Sequence, residues 1–410
     1  MDTFAEFVIY PFLFFALYFE VFLLLTFLSK SQRGKQSEST HFSKVAIIVP
    51  CYNEEETITE TLASLKTLEY PKEMLQIIVV NDGSTDRTKE ELEVCAKDVT
   101  MLVLHTENKG KHAALNLGME YAKDAEFVAC LDADSFVGKN ALKEIIPYFE
   151  NEKVGAVTAS MSVHESKNPL QSMQYADYLF GIAYRHILSK VNGLYVTPGA
   201  FSVYRKRVFT EIGTFRKAHQ TEDMEIALRM QKMGWIIENA PRALVFTKVP
   251  KTLWGLLKQR TRWTSGFLRN GFEYRSLFGN FRHGVLGLLV LPLGAGAVVG
   301  GIVLFIYTIV EAVRQISDFF ATQGDVPWSF LFQAPSFDWF FAPASGILVL
   351  ALVILFMSGT LIVIGKRIAK VPGSLAPGML WYALLYNLVA PLWLIRSAVD
   401  VLFGIERTWR

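Results

Sequence analysis

The chain is expected to fold as an α/β domain with a mostly parallel sheet, inserted between transmembrane helices and flanked by interfacial amphipathic helices. Three observations predict this. Four apolar segments, at residues 7–28, 284–310, 340–364 and 375–395, are each long enough to cross a hydrocarbon core, which takes about 20 helical residues. Between the first and second lies a stretch of ordinary globular composition, residues 42–250. Within that stretch short β-branched runs alternate with helical patterns, as in a parallel sheet covered on both faces.

Taken in order, the chain divides into a transmembrane helix at 1–30, a polar linker at 31–43, the globular domain at 44–250, interfacial helices at 251–282, three further spans at 283–402 and a tail at 403–410. The first span has no basic leading region and no small-residue cleavage site, so it does not read as a signal peptide. Its Glu20 needs protein or water beside it rather than lipid. Lys30, Arg33, Lys35 and Lys44 follow this span, and Lys366, Arg367 and Lys370 follow the third. The loop 311–339 carries Glu311, Asp318, Asp325 and Asp338 against Arg314 alone. The excess of Lys and Arg marks the cytoplasmic side. The expectation is an inner-membrane (plasma-membrane) protein with both termini outside and the globular domain in the cytoplasm. Cys51, Cys95 and Cys130 then lie in a reducing compartment and should form no disulfide. A net charge of +2 gives no support to nucleic-acid binding.

The runs "KVAIIVP", "LQIIVVND", "VTMLVLH" and "EFVACLDAD" read as strands, with helices at about 55–68, 85–97 and 111–123 between them. Each of three strands ends in polar residues: Tyr52-Asn53-Glu54, Asn81-Asp82-Gly83 and Asp132-Ala133-Asp134. In open α/β sheets the ligand crevice lies outside the carboxyl ends of the strands, so these groups should converge. No glycine-rich dinucleotide fingerprint follows the first strand and no P-loop occurs, which argues against those cofactors.

Other stretches carry two readings each. "QTEDMEIALRMQKMG" is a helix capped by Thr221, with Glu222 and Asp223 at its positive end and Gly234 as its stop. The helix end should lower the pKa of Asp223. "KTLWGLLKQRTRW" mixes apolar and basic residues too finely for a span and suits a helix lying in the membrane interface. "TPGAFSVYR" is a turn before a strand, or a place where Gly199 lets a ligand approach closely. "LQSMQYADYLFGIAYRHIL" reads as core or interfacial packing, with His186 structural. Asn387 and Arg396, in or near the last span, call for polar company from a passing polymer or from neighbouring helices.

Six motifs, "VPCYNEEETI", "VVNDGSTD", "NKGKHAALNLG", "LDAD", "TEDMEIALRM" and "QRTRW", occur in the order found in membrane-embedded family 2 glycosyltransferases, over residues 44–270. The chain resembles this family, which includes the synthases of cellulose, hyaluronan, chitin and poly-N-acetylglucosamine. The resemblance implies a GT-A-like nucleotide-sugar-binding domain. It implies metal-dependent, inverting transfer from a UDP-sugar, either UDP-N-acetylglucosamine or UDP-glucose, to a growing β-linked polysaccharide that the same chain could export. Transfer of a single sugar to a membrane lipid is the alternative.

Roles follow from the same resemblance. Asp134 would hold Mg²⁺ or Mn²⁺ with Asp132, which also lies on the ribose side. Such a hard cation neutralises the departing diphosphate. Tyr52 would lie against the uracil, Glu54 and Asp82 would bond the nucleoside, and Lys111, Gln259 and Arg262 would hold the diphosphate, with Lys109 a surface neighbour. Asp223 would be the general base beside Glu222. Trp263 and Gly199 would meet the acceptor. The partners implied are the UDP-sugar donor, a glycan or lipid acceptor and the bilayer; an accessory or oligomeric partner is left open.

Overall fold

A computed structural model describes residues 3–29, 42–96, 101–322 and 346–405. Linker residues 31–41 with Arg33 and Lys35, the flanking Lys30, the loop residues Asp325 and Asp338, and tail residues 406–410 lie outside the described residues. The first helix, α1 (Thr3–Leu28), is followed by β1 (Val45–Cys51), which is buried at every position. An unbroken apolar strand of this kind must be covered on both faces. β1 pairs in parallel with β2 (Leu75–Asp82) and β4 (Phe127–Cys130), and β2 pairs in parallel with β3 (Met101–Thr106). The crossovers run through α2 (Ile58–Lys66), α3 (Thr88–Cys95) and α4 (Lys111–Tyr121). This half of the sheet agrees with the sequence pattern.

Beyond β4 the sheet continues through four more strands, of which the pattern predicted only the one expected after the turn in "TPGAFSVYR". These are β5 (Ser135–Val137), β6 (Val154–Val163), β7 (Ser202–Arg205) and β8 (Ile236–Thr247), and the full order is β3-β2-β1-β4-β7-β6-β8-β5. β7 is antiparallel to both β4 and β6, whereas β6 and β8 are parallel. The antiparallel β7 carries the chain back beside the end of β4, next to Asp132.

The connecting helices are α5 (Ala141–Ile145), α6 (Pro169–Ser189), α7 (Lys206–Ile212) and α8 (Glu222–Lys232). Next comes α9 (Leu253–Glu273), capped by the Thr252 hydroxyl, which accepts from the Gly255 amide at 3.2 Å. It lies wholly within the segment 251–282 read as interfacial and runs ten residues past the quoted motif that ends at Trp263. The last three helices are α10 (Leu291–Thr322), entered through a π-turn at Leu286–Val290, α11 (Gly346–Ala369) and α12 (Ala376–Leu402). Four helices among the described residues are long and apolar enough to cross a membrane, at Ile9–Leu28, Leu286–Asp318, Gly346–Ala369 and Ala376–Leu402.

These helices dock on α6 and α9. Gly365 of α11 presses so closely on the Leu179 carbonyl of α6 that no Cβ would fit. The turn after α11 is pinned to α6 by Tyr175, whose hydroxyl donates to the Pro372 carbonyl at 2.9 Å. α12 begins with Gly378 against Ser172 of α6 and ends beside α9. There Arg269 donates to the carbonyls of Asp400 and Ile405 at 2.9 and 2.8 Å. Glu20 faces protein, buried and accepting a hydrogen bond from Ser358 of α11, as an intramembrane carboxylate must. Arg396 lies over the Trp254 ring of α9 at 4.5 Å, so a neighbouring helix supplies its company. Asn387 is exposed on α12. Cys51, Cys95 and Cys130 are all free thiols.

Candidate active site

The carboxyl ends of β1 and β2 are tied to each other before any ligand is considered. Asn53 adopts the left-handed conformation (φ 56°), which a short polar side chain tolerates better than most. Its amide donates to Ser84 Oγ at 3.0 Å and its side-chain oxygen accepts from the Thr85 amide at 2.8 Å. Glu54 accepts from Thr57 Oγ1 at 2.7 Å, and Tyr52 is half-buried beside it. Asp82 is buried and uses both carboxylate oxygens on backbone, accepting from the Lys109 and Gly110 amides at 2.9 and 2.8 Å. Gly110 needs its φ of 91°, which an L side chain would resist. The geometry makes Asp82 the clamp that sets the start of α4, and the first residue of α4 is Lys111.

Lys111 joins two motifs that are ninety residues apart. Its ammonium lies 2.6 Å from Asp132 Oδ1 and 3.0 Å from Glu222 Oε1. Gly199 makes room for this contact. A Cβ there would sit 2.6 Å from Lys111 Nζ and 2.8 and 2.9 Å from the two Asp132 oxygens. Its carbonyl also accepts from the Asp132 amide at 3.0 Å. What approaches Gly199 among the described residues is the chain's own Lys–Asp pair.

Asp223 follows Glu222 on α8, and its main chain is held from the other side. Its carbonyl accepts from the Thr197 hydroxyl at 2.7 Å, and that hydroxyl accepts from buried Tyr204 at 2.9 Å. Its Oδ1 accepts the Met224 amide at 2.9 Å. Thr221 does not cap α8 with its side chain as expected. Its hydroxyl donates to Ala218 at 3.1 Å and accepts from Asn270 of α9 at 2.8 Å. The three residues before it, Ala218, His219 and Gln220, all have positive φ, at 41°, 51° and 65°. Such a run is strained and must be held by its surroundings. Arg262 supplies part of that hold, donating from Nη1 to the Gln220 carbonyl at 2.9 Å.

Burial and charge push the two adjacent carboxylates apart. Burial raises Glu222, but Lys111, its own backbone amide and Arg262 outweigh that and hold it below the usual range. Burial and the neighbouring Glu222 raise Asp223 to about 6, against the pull of Lys111 and Arg262. The helix-end effect expected to lower Asp223 is thus overridden. Environments that separate the pKa values of paired groups are how sites assign acid and base roles. Burial lowers Arg262 from its usual value, opposed by the charges of Glu222, Asp223, Asp132 and Asp134, so its guanidinium lies near both acidic motifs.

Asp134 is raised to about 7 by burial, then by Asp132 and Glu54, against which Lys111 and the Ser135 hydroxyl at 3.2 Å are insufficient. A half-buried carboxylate crowded by like charges is a fitting ligand for a hard divalent cation. Among the described residues no group of three or more acidic, His or Cys side chains is disposed to hold a metal alone. Two aspartates with substrate phosphates completing the shell match the way Mg²⁺ is usually bound. On α9, Gln259 has its Oε1 buried without a hydrogen-bond partner among the described residues, and Trp263 has the Arg260 guanidinium over its ring at 4.6 Å.

The sequence reading singled out Asp132, Glu222, Asp223, Lys111 and Gly199, and these do meet. It passed over Thr197 and Tyr204, although both lie in the "TPGAFSVYR" stretch, and Asn270, for which no local signal exists.

The family described as glycosyltransferase like family 2 matches residues 43–266, just over half of the chain. A poly-β-1,6-N-acetyl-D-glucosamine synthase of Staphylococcus epidermidis is 33% identical over 234 residues, 56% of each chain. The enzyme of that name from Staphylococcus aureus strain COL is 34% identical over 228 residues, 54% of each. The chain thus spans about half the length of the curated relatives it matches. A solved structure of the mannosyltransferase PcManGT from Pyrobaculum calidifontis, in complex with GDP-Man and Mn²⁺, covers 98% of this chain and 99% of its own. Its TM-score is 0.61 at 20% identity, so the two share the GT-A-like fold and its flanking helices.

Proposed function

The chain belongs to glycosyltransferase family 2, and from that premise we propose that it is an inverting, membrane-integral synthase extending a β-linked polysaccharide from a UDP-sugar. The observation that carries this reading is the Lys111 bridge, which brings the Asp132 and Glu222 motifs to one point with Asp223 beside it. The name of the staphylococcal relatives favours UDP-N-acetylglucosamine over UDP-glucose.

In this mechanism Tyr52, Glu54 and Asp132 hold the nucleoside side of the donor, and Asp82 acts through the turn that presents Lys111. Asp134, with Asp132, would hold Mg²⁺ or Mn²⁺, whose charge neutralises the departing diphosphate. Lys111, Arg262 and Gln259 bind the diphosphate oxygens, and Arg262 suits bidentate contact. Asp223 takes the proton of the acceptor hydroxyl as that oxygen bonds to the anomeric carbon. The carbon–oxygen bond to UDP breaks on the opposite face, so the α-linked donor gives a β-linked product. Glu222, held ionised by Lys111, keeps a negative charge next to Asp223 and so keeps it basic. Trp263 offers its indole to the acceptor sugar on the surface Arg260 leaves open.

The catalytic domain is placed in the cytoplasm and the N-terminus outside, as the basic flanks favour. The same count puts the C-terminus outside, but the Arg269 tie to Asp400 and Ile405 favours an end held beside α9. Labelling of a cysteine placed at Gly404 by an impermeant maleimide in intact cells separates the two.

The test of function is the purified chain in nanodiscs with Mg²⁺ or Mn²⁺ and a panel of UDP-sugars, following UDP release and product size. A ladder of long products from one donor supports the reading. Single additions to lipid would replace it.

A further inference from the structure

The chain reaches Asp223 through a strained approach. Ala218, His219 and Gln220, the three residues before Thr221, all have positive φ, at 41°, 51° and 65°. Non-glycine residues keep such a run only where neighbours hold it. Here the neighbours are successive turns of α9. Arg262 donates to the Gln220 carbonyl at 2.9 Å, and Gly266 lies against the Thr221 side chain. Asn270 donates to the Thr221 hydroxyl at 2.8 Å, and Glu273 lies 4.0 Å from His219. Positions three and four apart on a helix share a face, so these four form one stripe. The sheet holds the other side, where the Thr197 amide and hydroxyl donate to the Asp223 carbonyl at 3.1 and 2.7 Å.

Two members of that stripe are poor choices for stability. Glycine is unfavourable inside a helix, yet Gly266 stands inside the 21-residue α9. A Cβ there would come within 2.4 Å of both Thr221 Cγ2 and Oγ1. Asn270 is wholly buried, and its Oδ1 has no hydrogen-bond partner among the described residues. An apolar side chain would fill the space without a stranded oxygen. What asparagine adds is an N–H donor for Thr221. The Thr221 hydroxyl needs one, because its own proton goes to the Ala218 carbonyl at 3.1 Å. Both unfavourable choices therefore face the same residue, two positions before Asp223.

We propose that Gly266 and Asn270 are positioning residues for the transfer: by seating Thr221 on α9 they set where the Asp223 carboxylate stands relative to the donor. The proposal rests on Asp223 being the general base, as read above. Because α9 also carries Gln259 and Arg262, one helix then registers the base against the groups assigned to the diphosphate. Asn270→Ala should lower kcat for UDP release about 10²-fold, the scale of a roughly 1 Å misplacement, with donor KM and UDP binding unchanged. Thr221→Val should do the same, whereas Thr221→Ser, which keeps the hydroxyl, should stay near wild type. The double variant separates positioning from support of the fold. Asp223→Asn with Asn270→Ala should be no slower than Asp223→Asn alone, since a group that acts through the base has nothing left to act on. Calorimetry of UDP binding by the full chain in nanodiscs shows that each variant is folded. Should Asn270→Ala not fold, Thr221→Val takes its place in the cycle. Losses that multiply in the double variant, or a wild-type kcat in a folded Asn270→Ala or Thr221→Val, overturn the proposal. A wild-type rate in Asp223→Asn would instead strike the base reading and the proposal with it. Failure of the wild type to release UDP from any sugar would strike the synthase reading.

Discussion

Lys111 and Glu222 form an ion pair at 3.0 Å across the join between the parallel half of the sheet and helix α8. The lysine is held well above its usual pKa by Asp132, Glu222 and Asp223 despite the lowering effect of burial, so it stays charged throughout the working range. Replacing it removes the cation that links both acidic motifs and faces the diphosphate. Lys111→Met is expected to reduce turnover about 10²–10³-fold, the usual loss when one electrostatic stabiliser of a leaving charge is removed. Lys111→Arg should recover part of it. Single-turnover UDP release measures both, and wild-type rates in Lys111→Met would remove the residue from the mechanism.

Gly199 tests the same contact from the backbone side. A methyl group there would lie under 3 Å from the ammonium and from both Asp132 oxygens. Lys111 can swing away, but the Asp132 main chain is held in place by its amide, which donates to the Gly199 carbonyl at 3.0 Å. Displacement of catalytic groups by about 1 Å costs roughly 10²-fold. Gly199→Ala should therefore lose activity on that scale while its thermal midpoint stays close to wild type. A large drop in midpoint with little loss of specific activity would show that the glycine serves folding alone.

The parts of this site that were legible in the sequence are those encoded by short, unbroken patterns. β1 and β2 announce themselves because, apart from Gln76 near the start of β2, each is apolar up to the polar end that enters the crevice. β6 and β8 were not legible, since Thr158, Ser160, Ser162, Glu238 and Asn239 break the apolar run. These polar residues are nonetheless buried, and Asn239 donates to the Thr158 carbonyl and hydroxyl at 3.1 Å, a pairing that only the folded register creates. The same holds for Asn270 and Thr221, partners 49 positions apart. The pKa of Asp223 was misread for a related reason. A helix terminus is visible in sequence, whereas burial and the facing charges are not.

Metal dependence rests on the state of Asp134. At Asp134 desolvation and the charges of Asp132 and Glu54 outweigh the pull of Lys111, which makes a divalent cation the natural complement of this carboxylate. Chelation by EDTA should abolish UDP release, and either Mg²⁺ or Mn²⁺ should restore it. Asp134→Asn should retain the fold but lose the metal-dependent part of UDP binding in calorimetry. Full turnover in excess chelator would exclude the cation from the reaction.

The last prediction follows from the separation of Glu222 and Asp223. A base works only when deprotonated, and Asp223 is raised to about 6 by burial and by Glu222. Below pH 6 its ionised fraction falls about tenfold per unit, so kcat/KM for the donor should fall with unit slope on the acid side and level off above pH 7. Asp223→Asn should abolish that limb and lower turnover by about 10²–10⁴-fold, the usual contribution of general-base catalysis, with UDP binding nearly intact. Glu222→Gln removes the charge that raises Asp223, so the acid limb should move to lower pH in that variant. A wild-type rate that is flat from pH 5 to 8, or a limb unmoved by Glu222→Gln, would mean that the proton is taken elsewhere.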